Sequence, residues 1–335
     1  MPTQTFEQPL GREAMVRLMD RIMTGQCPAD EVGTFLTALA RRGETAEEIA
    51  AAVETLRRHA VRLPLSKPLE LCDTCGTGGD GYGTINVSTL CALVASAAGV
   101  RVAKHGNRAA SSRCGSADLL EALGVNLQAT PAQVARCIET LGFGFCFAPA
   151  FHPAMKVVAP IRKALGIRTL FNLVGPLANP APLTYQLVGV PASALMRPMA
   201  EALKQLGIRH GLVVHGTDGL DEVTTTSETE ALEVRPQGIS PLRLQPETLG
   251  LRRAALEALR GGDAAHNAQR ALAILRGEAS PQRDLVLVNA ACVLYVADRV
   301  PTIADGMTTA EEVLASGRGL EVLERLKELT SSPVV

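Results

Sequence analysis

The sequence predicts an α/β protein: a small N-terminal helical domain, then a large α/β domain whose mostly parallel sheet is flanked by helices. Three observations carry this prediction. Residues 8–62 show only helical periodicity. From Leu69 onward, short apolar runs alternate with helical patterns, which is how parallel strands with crossover helices read. Between the first such run and its helix stands TCGTGGDGYGTINVST, residues 74–89, a glycine-dense turn.

In the helical part, Ala14, Leu18 and Ile22 share one face, and Val32, Phe35, Leu36 and Leu39 share the next. Thr45 opens a third helix, with Glu48 completing a capping box. Pro64 and Pro68 mark a linker. Strands are expected at 69–74, 100–103, 145–148, 186–190 and 211–214, and helices at 88–98, 117–123, 131–141, 192–206 and 281–296. Gly99, Gly124, Gly142 and Gly207 each follow a helical pattern, where a residue past the helix C-terminus takes a left-handed conformation. Residues 160–182 interrupt the alternation and carry Pro176, Pro180 and Pro182. They are expected to return to the helical domain and act as a hinge. The expected division is thus 1–64 plus about 160–182, against 69–159 plus 183–335.

Composition narrows the function. The 335 residues carry a net charge of −1, so no global field favours nucleic acid or an anionic membrane. The longest apolar stretches, around 90–100 and 285–297, are too short to span a bilayer and contain Ser96 and Asn289. Glu7 and Glu13 near the N-terminus, with no apolar signal core, point to a cytoplasmic protein. Cys72 and Cys75 form a CxxC pair, but no second CxxC or spaced His pair accompanies it. Cys72 falls in an expected buried strand, where cysteine acts as a small hydrophobe.

Four segments bear chemistry. The glycine turn lets backbone N–H groups approach a ligand closely, and the helix that follows adds a positive dipole end; the combination binds phosphate. It formally matches GxGxxG at Gly76, Gly78 and Gly81. A dinucleotide site would also need an acidic residue after the next strand, where Lys104-His105 stands, and a shorter turn. Thr84, Asn86, Ser88 and Thr89 suit a chain of phosphates better. The second segment is KHGNRAASSRCGS, 104–116, again between a strand and a helix, supplying Lys104, Arg108, Arg113 and hydroxyls. At the carboxyl edge of a parallel sheet it would face the first loop across a crevice. The third is Asp221-Glu222 in GTDGLDEVTTT, adjacent carboxylates suited to a hard cation such as Mg2+ that also binds substrate phosphate. The fourth, 140–200, has no Asp or Glu and carries Lys156, Arg162, Lys163, Arg168 and Arg197. Arg162, in HPAMKVVAPIRKALG, would make a carboxylate receptor.

Taken together, GTGGDG-x-x-T-x-N-x-ST, KHGNR-x-x-SS-x-x-GSAD-x-LEALG, HPAMK-x-V-x-P-x-R-x-x-LG-x-RT-x-FN-x-x-GPLxNP and DGLDE resemble the anthranilate phosphoribosyltransferase family over essentially the whole chain. The resemblance implies transfer of phosphoribosyl from 5-phosphoribosyl diphosphate to the anthranilate amine in tryptophan biosynthesis. It also implies a homodimer joined through the helical domains, and Mg2+, with two ions per subunit expected. Carried onto this chain, Gly76, Gly79, Asp80, Thr84, Asn86, Val87, Ser88 and Thr89 would hold the diphosphate donor. Lys104, Asn107, Ser111, Ser112 and Ser116 would complete that site. Ser88, Asp221 and Glu222 would ligate metal; Lys104, Asp221 and Glu222 would be the catalytic group. Gly76, Asn107 and Arg162 would place anthranilate, and His105 and His152 would line its way in.

Ala109-Ala110 stands where the family often has Ser-Val, which removes a hydroxyl contact; Tyr82 and Cys114 occupy variable positions. The mechanism expected is positioning plus neutralisation of departing pyrophosphate as positive charge builds on the sugar. No side chain is expected to be essential for taking the amine proton. Two alternatives are a pyrimidine nucleoside phosphorylase-like enzyme, which would bind one phosphate, and a non-enzymatic nucleic-acid-binding relative, which would need a basic surface.

Overall fold

The structure, a computed structural model, describes residues 6–109 and 112–332. The chain opens with α1 (Arg12–Met23), α2 (Ala29–Arg42) and α3 (Ala46–Arg58). Thr45 and Glu48 form the reciprocal cap expected at the start of α3. The α/β part follows as β1 (Leu71–Gly76), α4 (Val87–Ala97), β2 (Val102–Gly106), α5 (Ser116–Ala122), α6 (Pro131–Leu141), β3 (Phe143–Phe147) and the short α7 (Ala148–Phe151). Then come α8 (Ala159–Leu165), α9 (Leu170–Leu177), β4 (Leu183–Gly189), α10 (Met196–Gln205) and β5 (His210–Gly216). The chain finishes with β6 (Thr229–Arg235), β7 (Gly238–Leu244), α11 (Ala264–Leu275), α12 (Pro281–Val296), α13 (Ile303–Ala315) and α14 (Arg318–Ser331).

The seven strands lie in the order β3-β2-β1-β4-β5-β6-β7. The first five are parallel; β6 and β7 add as an antiparallel edge. Side chains alternate across the sheet as the strand period demands. Cys72, Leu187 and Leu212 enter the core shared with α4, α12, α13 and α14. Cys75, Val188 and Val213 enter the core shared with α3, α9 and α10. Both members of the CxxC pair are therefore buried, free core residues.

Residues 160–182 contain two helices rather than a bare interruption. α8 packs on α2, and α9 packs on α2 and α3. Arg57 of α3 donates two hydrogen bonds to the Leu177 carbonyl at the end of α9, at 3.1 and 2.7 Å. Five elements of the second half were not expected from sequence: β6 and β7, which form a hairpin, α11, and the α13–α14 pair. The glycines expected past helix ends do have left-handed φ values, from +79° at Gly207 to +92° at Gly99 and Gly124.

Candidate active site

Strands run outward from β1 in both directions, β2 and β3 to one side, β4 and β5 to the other. The carboxyl ends of β1 and β4 thus border the topological switch point where open α/β sheets bind ligands. Their last residues, Gly76 and Gly189, pair in register. Both must be glycine for the same reason: Asp221 lies across them. A Cβ on Gly76 would stand 2.2 Å from Asp221 Oδ2, and one on Gly189 only 1.6 Å from the Asp221 carbonyl oxygen. Gly78 N–H donates to Asp221 Oδ2 at 2.7 Å. The loop facing the glycine turn across the switch point is therefore 217–228. The expectation had put 104–116 there; that segment follows β2 and flanks the turn from the other side.

The glycine turn is built by Gly78, Gly79, Gly81 and Gly83, all with φ between +62° and +86°. It is clipped at both ends. Tyr82 hydroxyl donates to the Asp218 carbonyl, and Thr84 bridges to Arg260 while Gly261 N–H donates to Gly83 O at 2.9 Å. Asn86 caps α4, without a side-chain cap bond. Its amide is spent on structure: Nδ2 donates to Cys114 O and Oδ1 accepts from Asn267 Nδ2, both at 2.9 Å. It ties the two loops together. Val87 is a core residue, leaving only its backbone to face a ligand. Thr89 is buried, with a hydroxyl that has no partner among the described residues.

Neither Asp221 nor Glu222 forms a salt bridge among the described residues. Burial, and then the nearby Asp80, push the Asp221 carboxyl up to about 7. Burial, then Asp221 and Asp80, push Glu222 well above the carboxylate range, while Lys104 and the Ser88 N–H pull it partly back. Among the described residues no three His, Cys, Asp or Glu side chains form a complete metal cage. That donor set fits Mg2+, which takes one or two carboxylates and completes its shell with water and phosphate. Asp221 is held in place through the neighbouring peptides: Asn289 of α12 accepts from Val223 N–H at 3.1 Å and donates to Val223 O at 2.8 Å.

Lys104 is buried on β2, and its ammonium donates to the His105 carbonyl at 2.9 Å. The 107–116 loop folds tightly on itself. Asp118 Oδ2 accepts from the N–H groups of Ala109 and Gly115, both at 2.9 Å. The Ala109 amide is thus already engaged. Arg108 is turned away to Asp118 and Glu121 rather than toward the crevice, at 2.9 and 2.7 Å. Asn107 Oδ1 accepts from Arg108 N–H at 2.8 Å, and its carbonyl accepts from Ser116 Oγ at 3.4 Å. Ser112 Oγ sits 3.5 Å from the Cys114 carbonyl. Ser111 and Ala110 lie outside the described residues.

Arg162 of α8 is half-buried, stacks over Phe171 at 5.5 Å, and reaches Asn172 Oδ1 at 3.4 Å. Burial lowers its pKa, and no carboxylate pairs with it among the described residues. His105 and His152 pack edge to face, ring centroids 5.2 Å apart. Each ring has a buried Nε2 with no partner among the described residues. Burial pushes His152 down to about 4 and His105 well below the ordinary value, so both are neutral near pH 7. Beneath them Asp73 accepts from Asn179 Nδ2 at 2.8 Å and from His105 N–H at 3.2 Å, joining β1, β2 and the turn after α9.

Residues 69–320 match the glycosyl transferase family a/b domain, and residues 5–60 match its helical bundle domain. The anthranilate phosphoribosyltransferase of Pelobacter propionicus is 47% identical, over 97% of this chain and 96% of that protein. The chain belongs to the anthranilate phosphoribosyltransferase family. Among solved structures, the Thermus thermophilus member superposes with a TM-score of 0.93 at 47% identity, covering 97% of both chains. The Saccharomyces cerevisiae member, in complex with PRPP and Mg, gives 0.88 at 30% identity, over 97% of this chain and 94% of that one. That yeast protein has also been solved in complex with 4-fluoroanthranilate. This family member is an enzyme, a pentosyltransferase.

Proposed function

We propose that the chain transfers the phosphoribosyl group of 5-phosphoribosyl diphosphate to the amine of anthranilate, releasing pyrophosphate. The observation that carries this reading is the placing of Asp221 and Glu222, which form no salt bridge among the described residues, beside a glycine turn and a helix N-terminus at the switch point. Buried carboxylates without cations are costly, and a metal-bound diphosphate relieves that cost.

In this reading the donor lies against Gly76, Gly79, Asp80 and Thr84, the backbone of Asn86 and Val87, and Ser88 and Thr89. Lys104, Asn107, Ser111, Ser112 and Ser116 complete its cradle. Ser88, Asp221 and Glu222 hold Mg2+, two ions per subunit, which neutralises charge on the diphosphate oxygens. The acceptor carboxylate pairs with the guanidinium of Arg162, with Gly76 and Asn107 beside it. The amine nitrogen bonds to the ribose carbon as that carbon's bond to pyrophosphate oxygen breaks, so Lys104 and the turn's amides stabilise the charge that accumulates on the leaving group. The amine proton leaves to water or pyrophosphate. Neutral His105 and His152 form a polar but uncharged wall for the acceptor's path, an arrangement that admits an aromatic carboxylate.

We further propose that 1–64 with about 160–182 forms a unit distinct from 69–159 with 183–335, that it carries the homodimer contact, and that the protein is cytoplasmic. Eight free, buried thiols suit a reducing compartment. The direct test mixes protein, Mg2+, 5-phosphoribosyl diphosphate and anthranilate and follows anthranilate fluorescence. Loss of signal that needs all components supports the reading; unchanged fluorescence at saturating substrates rejects it.

A further inference from the structure

The turn between α8 and α9 carries a second guanidinium that the roles above leave unused. Gly166, with φ +62°, ends α8, and Thr169 caps α9 through Asn172 Oδ1, whose bond to Thr169 N–H is 3.0 Å. Arg168, between them, reaches across to the glycine turn. Its Nη2 donates to Thr77 Oγ1 at 3.1 Å, and its Nη1 stands 3.5 Å from where a Cβ on Gly79 would lie. The side chain is half-buried, and no carboxylate lies within 4.0 Å of it among the described residues. Glu44, from the turn before α3, and Asp221 act on it only at longer range.

A guanidinium offers five donors, and here the one hydrogen bond among the described residues goes to a neutral hydroxyl. A partly desolvated cation in that state is short of an anion. The nearest surface is a turn of left-handed glycines, itself suited to anions. We propose that Arg168 is a further donor-binding residue, exchanging the Thr77 hydroxyl for the diphosphate of the bound donor. The proposal rests on the donor assigned above and adds a contact from the α8–α9 side, opposite Lys104. Asn172 Oδ1 also receives Arg162 Nη2, so α8 and the turn that follows it present a cation to each substrate.

The test measures donor affinity by calorimetry with Mg2+ and no acceptor, then KM for each substrate, in wild type, Arg168→Met and Arg168→Lys. Removing a charge-assisted pair should weaken donor binding about 10- to 100-fold, with Lys restoring part of the loss. The anthranilate KM at saturating donor should move by less than about threefold. A folded Arg168→Met protein that binds donor as tightly as wild type overturns the inference, as does an equal rise in both KM values. Thr77→Val gives a second reading should Arg168→Met not fold. Donor affinity kept or improved supports the exchange, and a clear loss shows that the Thr77–Arg168 bond is itself the purpose. Wild-type protein that binds no donor would overturn the assigned reaction as well; normal binding by wild type with no effect in Arg168→Met overturns this contact alone.

Discussion

The two ends of the sheet treat charge in opposite ways. At the amino end of β5, His210 is completely buried between two carboxylates, with Nδ1 2.9 Å from Asp298 and Nε2 3.0 Å from Glu233. Burial pushes Glu233 up, but hydrogen bonds from Tyr295 and Arg235 hold it below its ordinary value overall. Asp298, at φ +52°, is the one non-glycine residue with positive φ among the described residues, and it also faces Arg209 and Arg235. Every charge in that cluster has a partner. At the carboxyl end, burial pushes Asp221 and Glu222 up and Arg162 and Arg168 down, and no salt bridge among the described residues joins them. The first cluster spends its electrostatics on the fold. The second holds them open for ligands, at a cost to stability.

Mutations should therefore separate the two regions. The largest effect is expected from Asp221→Asn with Glu222→Gln. Activity at low Mg2+ should fall about a thousandfold, since transition-state charge loses its stabilisation. Thermal stability should rise or hold, because buried like charges are removed. A double variant that still responded to Mg2+ as wild type does would break the assignment. The amino-end cluster should show the reverse. His210→Leu removes the buried ring that hydrogen-bonds both Asp298 and Glu233, costing about 3 kcal/mol in denaturant titration while both KM values stay near wild type. A KM change there would mean that the ends are coupled.

Next in size, Arg162→Ala should raise the anthranilate KM by roughly 2–3 kcal/mol of lost pairing and move the donor KM far less. Equal effects would place Arg162 elsewhere. Gly189→Ala sharpens the comparison without touching a ligand side chain. Its Cβ would overlap the Asp221 carbonyl at 1.6 Å. Backbone must shift, at about 1–3 kcal/mol, and the carboxylate pair shifts with it. A stable, fully active Gly189→Ala enzyme would show that the close approach does not position Asp221.

These contrasts also explain what the sequence could reveal. The glycine turn, 104–116, Asp221-Glu222 and Arg162 are legible because each is a local run whose composition has one economical use. β1 to β5 were legible as apolar runs buried on both faces. The β6–β7 hairpin was not, because TEALEVR and GISPLRL form a half-exposed edge that carries Pro241, a residue tolerated in edge strands. The supporting residues were invisible for another reason. Asn267 meets Asn86 across 181 positions, Asn179 meets Asp73 across 106, and Asn289 meets Val223 across 66. A buried asparagine carries no local mark of its partner; only its presence in an apolar run, as with Asn289, hints that it has one. Arg168 could be seen only as one base among several until its reach to Thr77 was known.

The smallest effect concerns acid, and it tests whether the site's strain extends to its histidines. His152 falls to about 4 in the fold and His105 lower still, against an ordinary value of 6.5. Below about pH 6.5 the unfolded chain takes up protons on these rings that the folded chain refuses, so stability is fully present above that pH and is lost on acidification toward 4. Asp73 works the other way. Burial, only partly offset by Lys104, lifts its carboxyl to about 6 from 3.8, so the folded chain takes that proton first and gains stability as pH falls through 6. The wild-type pH profile mixes the two, and the comparison with His152→Gln separates them. Melting temperatures from about pH 7.5 to 5 should fall more steeply in wild type than in the variant, a difference of no more than about 2 kcal/mol at the acid end. Parallel profiles would mean that His152 takes up its proton as readily in the folded chain as in the unfolded one, and the uncharged wall assigned to the acceptor's path would have to be abandoned below about pH 6.5.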